Sequence, residues 1–329
     1  MKLGGIKNYI LRYFTIVVVS IVASISGVAE DKVEYFKYGD FNSWITRNIP
    51  ESRVLGGKIK TLYEVGPTQT IEGAKAYKNL DGSPWATSNV YAKVVGISKG
   101  SCAVVPDTRS AGNKCAKLTT IMERCKAIGI INVDVVVAGS MFLGEMIEPV
   151  SSTSDPYSKM DMGIPFTKRP KALCFDYKLE IPVNGKHVYS SGFGKKKILP
   201  GQESAEVMVF LQRRWEDSNG HIYAKRVGTG RIRFDKSTKD WVNKYQLPIM
   251  YGDITKETGY KPYMGLIPSE RSYYARNSKG KLVPVEEVGW DNENATPTHI
   301  IVMMSAASGD AYTGTLGLTL WIDNVGTVY

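Results

Sequence analysis

Histidine and cysteine are scarce in this chain: three and four residues in 329. His187, His221 and His299 lie far apart, and there is no His-Glu-x-x-His pair, Gly-x-Ser-x-Gly elbow or glycine-rich phosphate loop. Zinc-protease, serine-nucleophile and nucleotide-binding chemistry therefore lose their usual signatures. Cys102, Cys115, Cys125 and Cys174 do not have zinc-site spacing. No helical hydrophobic period outlasts two turns, and neither repeats nor a low-complexity linker appear. The chain is basic, with a formal charge of +10. Its bases are dispersed apart from Lys195-Lys196-Lys197 and Arg213-Arg214. Without a basic stripe or a reading element, no nucleic-acid partner is expected. Mild basicity suits attraction to acidic material such as uronic acids.

The longest apolar run is short and sits at the start. Lys2, Lys7 and Arg12 precede an apolar stretch from Tyr13 to Ile25, followed by Ser26-Gly27-Val28-Ala29. This order of charged region, apolar region and small residues predicts a signal peptide over residues 1–29 and export of residues 30–329. The run is too short for a comfortable membrane span, so no stable span is expected. A retained signal anchor is the alternative. Export would permit disulfides. Cys102 with Cys115 is then the preferred pair, and four buried thiols are an equal alternative.

What the chain does have is β-pattern. Short runs rich in β-branched and aromatic residues recur at 90–97, 115–121, 130–138, 172–181, 205–215, 230–234, 246–251, 299–305 and 316–328. Turn chemistry such as Asp217-Ser-Asn-Gly and Asn277-Ser-Lys-Gly separates them. Such strands, with no helices between them, predict an all-β fold: an antiparallel β-sandwich of jelly-roll type with long loops. Residues 255–298 read as a large loop insertion, and Gly228-Thr-Gly-Arg as a bend. Leu318, Leu320 and Ile322 alternate strictly in the closing strand, leaving Trp321 and Asp323 on the opposite face.

Several segments occur in a recognisable order. They are Asp40-Phe-Asn-Ser-Trp, Ser83-Pro-Trp-Ala-Thr-Ser-Asn, Gly112-Asn-Lys-Cys-Ala-Lys-Leu-Thr-Thr, Gly139-Ser-Met-Phe-Leu-Gly, Gly163-Ile-Pro-Phe-Thr-Lys-Arg-Pro, Leu247-Pro-Ile-Met-Tyr and Leu318-Thr-Leu-Trp-Ile-Asp-Asn-Val. Together they resemble the putative carbohydrate metabolism domain family of exported Bacteroidetes proteins, over essentially all of residues 30–329. The resemblance implies a single β-jelly-roll domain with a role in recognising or processing glycans. It supplies no catalytic residues.

Alternation also suggests a binding face. Val207, Val209 and Leu211 alternate with Met208, Phe210, Gln212 and Arg214; Ile232 and Phe234 alternate with Arg231 and Arg233; Leu173, Phe175 and Tyr177 alternate with Cys174 and Asp176. If these strands share a sheet, Asp176, Gln212, Arg214, Arg231 and Arg233 gather beside Met208 and Phe210. Planar polar groups would bind sugar hydroxyls while apolar surface covers the ring, and arginines would favour an acidic sugar. An ordinary charged sheet face is the equal alternative. Trp290, followed by four polar residues, is the best tryptophan candidate for stacking on a sugar. Trp44 and Trp241 read as core. No catalytic residue stands out among the carboxylates. No cofactor is expected beyond a structural calcium, for which Asp323 and Asp40 are the oxygen-donor candidates by analogy with carbohydrate-binding jelly rolls. Backbone capping explains Asp323 equally well. The expected function is glycan binding without catalysis; a glycan hydrolase or lyase using the same face, or a cell-surface adhesion module, are the alternatives.

Overall fold

Period-two alternation resolves onto two packed sheets in the computed structural model, which describes residues 31–79, 82–127, 131–192 and 194–329. The leader expected over residues 1–29 lies outside the described residues. No described helix is long and apolar enough to cross a membrane. Lys32–Tyr329 forms one compact unit. The fold is all-β, a sandwich of the jelly-roll type.

The first sheet runs Val242–Pro248, Ala172–Glu180, Thr319–Val328, Asn113–Thr119, Val104–Ser110, with Val33–Tyr35 also paired to Thr319–Val328. Its inner face carries Leu173, Phe175, Leu179, Leu320 and Ile322, all without exposed surface. They pack against Val207, Val209, Leu211, Ile300, Val302 and Met304 of the second sheet. Each such side chain contributes about 1.5–3 kcal/mol by leaving water. The closing-strand alternation holds, with Leu318 buried too. Trp321 faces outward between Lys117 and Lys178, its direct neighbours in register. Their ammonium groups lie 5.4 and 5.1 Å from its ring centre.

The second sheet closes on itself. From His299–Ser305 the pairing runs through Ala205–Glu216, Ile222–Phe234, Leu282–Trp290, Tyr274–Arg276, Met160–Met162 and Ser140–Met146, and the last pairs back with His299–Ser305. Inside this ring Phe142, Met162, Met208, Phe210 and Ile301 form a second core, with Ile267, Tyr273 and Met303 packed against it. Closure removes sheet edges that would otherwise need protection. One contact in the ring demands glycine. Gly144, at φ +144°, faces Met162 so closely that a Cβ would lie 2.0 Å from the Asp161 carbonyl oxygen.

Three expectations need correction. Residues 255–298 are no loop: they contain Tyr274–Arg276 and Leu282–Trp290, which complete the ring. Gly228-Thr-Gly-Arg is no bend but the middle of the thirteen-residue strand Ile222–Phe234. A Cβ at Gly230 would sit 2.8 Å from both the Pro248 oxygen and Val209, so glycine there serves close approach of strands. The preferred Cys102–Cys115 disulfide is absent, all four cysteines being free thiols. Burial pushes the Cys102 thiol up to about 11 and Cys115 to about 12, which keeps both protonated.

A smaller sheet places Trp44–Pro50 between Ile59–Val65 and Gln69–Glu72. Here Arg47, 1% exposed, donates to Glu64 at 2.7 Å and to Glu148 at 2.6 Å. Glu148 also accepts from the Tyr77 and Tyr91 amides at 2.8 and 2.7 Å, tying three segments together.

Candidate functional site

The second face of Ala205–Glu216 carries Glu206, Met208, Phe210, Gln212 and Arg214, as alternation predicts. A bulge between Leu211 and Gln212 changes the register, so Arg226 pairs opposite Gln212, while Arg231 and Arg233 pair with Met208 and Glu206. The ring then divides this face into an interior and a mouth.

The interior holds a closed polar network. Glu287 accepts from Arg226 Nε at 2.6 Å and Nη2 at 2.5 Å, from Gln212 Nε2 at 2.6 Å and from the Ile267 amide at 2.8 Å. The Arg226 guanidinium lies 3.5 Å from the centre of the Phe210 ring. Arg214 donates to the Gln212 side-chain oxygen and to the Met162 carbonyl, both at 2.8 Å. Burial lowers the Arg214 pKa to about 10 despite the nearby Asp161 and Glu287. Gln212 and Arg214 are therefore packed partners of other protein groups. Trp290 ends a ring strand, half-buried, its ring centre 5.8 Å from the Arg226 guanidinium.

At the mouth, Glu206 accepts a fork from Arg231, Nε at 3.0 Å and Nη2 at 2.9 Å, and a third bond from Arg233 Nε at 2.8 Å. Arg231 also donates to the Tyr263 carbonyl, and Arg233 to the Ser308 carbonyl at 2.8 Å. The Arg233 guanidinium stacks 4.5 Å from the Tyr263 ring centre. Tyr157 meets Tyr273 edge to face at 6.1 Å. These groups line a cavity of about 670 Å³, whose wall also includes Arg271, Asp310, Tyr312 and Met303. Burial pushes the Tyr273 hydroxyl up, so it remains protonated. A concave site with aromatic faces and a few convergent polar groups is the usual form of a small-ligand pocket.

Asp176 is elsewhere, on the outer face of the first sheet. It accepts from Arg109 Nη1 at 2.6 Å, from Asn324 Nδ2 at 2.8 Å and from the Lys244 amide at 2.6 Å. The same Arg109 nitrogen donates to Asp323 at 2.6 Å, and the guanidinium stacks 4.3 Å from the ring of Trp241. Trp241 is thus half-buried under an arginine, whereas Trp44 is core at 4% exposure. Asp323 also accepts from the Asn324 amide at 2.8 Å, across a bulge that sets it opposite Asp176. Asp40 is exposed and bonded to Asn42. Arg109, rather than Asp40, is the partner of Asp323, and no group of three or more potential metal ligands occurs among the described residues. Of the five residues expected to converge, only Arg231 and Arg233 meet at the cavity.

A family profile matches residues 60–328. The chain belongs to the putative carbohydrate metabolism domain family. Three solved structures are similar to this carbohydrate-metabolism-domain chain. One, described as a putative glycoside hydrolase from Bacteroides vulgatus, is 14% identical, with 90% of this chain and 94% of that chain covered, at a TM-score of 0.47. A second, described likewise from Bacteroides thetaiotaomicron, is 17% identical over 83% of this chain and 76% of that one, at 0.43. The third is a carbohydrate-binding module specific for non-crystalline cellulose, 11% identical over 74% and 89%, at 0.27. No curated protein matches the chain.

The sequence reading of this family member missed Arg226 and Glu287, which close the interior, and Tyr263, Tyr157 and Tyr273, which shape the mouth. Arg226 was within reach. Extending alternation back from Arg231 across Gly230 and Gly228 would have begun the strand at Ile222. The tyrosines carry no periodic signal, because Tyr157 sits in a turn, Tyr263 in a short 3-10 helix and Tyr273 in irregular chain just before a strand.

Proposed function

We propose that this chain is an exported glycan-binding protein that holds its ligand in the tyrosine- and arginine-lined cavity and does not turn it over. The observation that carries this reading is the mouth itself. There the guanidinium of Arg233, one-third exposed, lies beside the Tyr263 ring at the edge of a ligand-sized concavity. Aromatic faces cover sugar C–H surface, and guanidinium forks bond to paired hydroxyls or to a carboxylate. The state of Glu206 favours binding over hydrolysis. Both of its oxygens already accept guanidinium N–H groups, so the carboxylate is engaged with protein partners rather than presented to a ligand. Asp176, the carboxylate a hydrolytic reading would use, is 5% exposed and tied to Arg109.

Arg233→Ala is the informative variant, because Glu206 keeps its fork from Arg231. Calorimetric titration against neutral and uronic-acid oligosaccharides should show at least about tenfold weaker binding, equivalent to about 1.4 kcal/mol. Thermal stability should change little and no reducing ends should appear. Unchanged affinity, or reducing-end release abolished by Asp176→Asn, would overturn the reading.

A further inference from the structure

The mouth described above is only half of the cavity. The remaining wall comes from two hairpins, Val90–Val94 with Ile97–Ser101 and Ile121–Ala127 with Ile131–Val137. Period-two geometry puts Val90, Ala92 and Val94 on one face of the first hairpin, and Val133, Val135 and Val137 on one face of the second. All six line the cavity. Lys99 of the first hairpin and Glu123 of the second form an ion pair at 2.9 Å, which holds the two walls together.

These six side chains pack into none of the hydrophobic cores formed by the described residues. Five are only half-buried, and Val133 is 8% exposed. A concave aliphatic surface left in contact with water is stabilised by whatever apolar group displaces that water. An unsubstituted sugar is a poor occupant. Its hydroxyls would lose water against valines that offer no hydrogen bond in return, and valine lacks the flat face on which pyranose rings stack.

Resting on the glycan-binding reading above, we infer that the ligand is a glycan carrying an apolar substituent. Its hydrocarbon lies against the valine wall while its sugar meets Tyr263 and Arg233. O-acyl groups on a polysaccharide and a longer alkyl or aryl aglycone share this chemistry.

The test uses the methyl, ethyl, butyl and hexyl β-D-glucosides and β-D-glucuronides, with acetylated xylan before and after saponification. Calorimetry on the wild-type chain should show affinity rising about fourfold per methylene buried. A rise that stops at two carbons, with loss of xylan binding on saponification, supports the O-acyl source. A rise that continues to hexyl supports the aglycone. Val135→Thr, nearly isosteric, should flatten the series. An affinity independent of chain length in the wild type overturns the inference, and if Arg233→Ala still weakens binding the glycan-binding reading survives. Hexanol binding as tightly as the hexyl glycosides, or no binding by any probe, overturns both.

Discussion

Replacing Glu287 by glutamine asks whether the second face of the large sheet is a packed interior or a wet groove. Glu287 and Arg226 have side chains 1% and 0% exposed. Burial alone would raise the Glu287 pKa, but Arg226, the Ile267 amide and Gln212 together hold it below the ordinary value, so it is charged at neutral pH. Glutamine keeps the shape and one acceptor oxygen, which can still serve Gln212 and Arg226 Nε. Its amide nitrogen then faces Arg226 Nη2 and the Ile267 N–H, setting donors against donors, and the guanidinium loses its counter-charge. Removing one partner of a buried ion pair costs about 3–5 kcal/mol. With an unfolding entropy of about 2.1 cal/mol/K per residue, a domain of this size should lose roughly 5–8 °C in Tm. Differential scanning calorimetry measures the shift. A second leg sharpens the test: Arg226→Met with Glu287→Met removes both charges and should recover most of the loss, since well-packed apolar replacements of buried pairs are often neutral. A Glu287→Gln Tm within about 2 °C of wild type would mean that water reaches the carboxylate. The closed, packed ring would then be wrong.

Two titrations give opposite slopes in stability. Burial, reinforced by Glu148 and opposed by Arg47, raises the Glu64 pKa to about 8, so its contribution is full below the ordinary carboxylate value and is lost as pH rises from about 4.5 to 8. Glu64→Gln should flatten the Tm profile in that window. His299 is held down to about 4 by burial and by Arg214, so it favours the fold above pH 6.5 and that contribution fades as pH falls towards 4. Tm measured from pH 4 to 6.5 should lose this slope in His299→Gln; an unchanged slope would refute the assignment. Gly144→Ala should destabilise severely, by about 3 kcal/mol or more, because strain at positive φ adds to the clash with the Asp161 carbonyl. Urea unfolding would show it, and a wild-type midpoint would contradict the close pairing of that strand with Met162.

The amino-acid sequence alone determined the class of fold and the direction of most side chains. Leu318, Leu320 and Ile322, or Val207, Val209 and Leu211, can bury one face only as strands, and that requirement is written in nearest-neighbour spacing. The same spacing separated Met208, Phe210, Gln212 and Arg214 onto the other face correctly. What it could not decide was what covers that face. A charged and apolar sheet surface has one pattern whether it meets water or a second layer, because alternation records which side a residue is on and not what lies beyond it. Tertiary structure made the choice by bringing Leu282–Trp290 alongside Ile222–Phe234 and Ser140–Met146 against His299–Ser305. That closure paired Glu287 with Arg226 across sixty-one residues of chain and left Glu206, Arg231 and Arg233, of the strands Ala205–Glu216 and Ile222–Phe234, at an opening. It also parted Asp176 from the arginines, since its strand pairs with Thr319–Val328 in the other sheet. Pairings over such sequence distances depend on the packing of whole sheets, so no local run of residues encodes them.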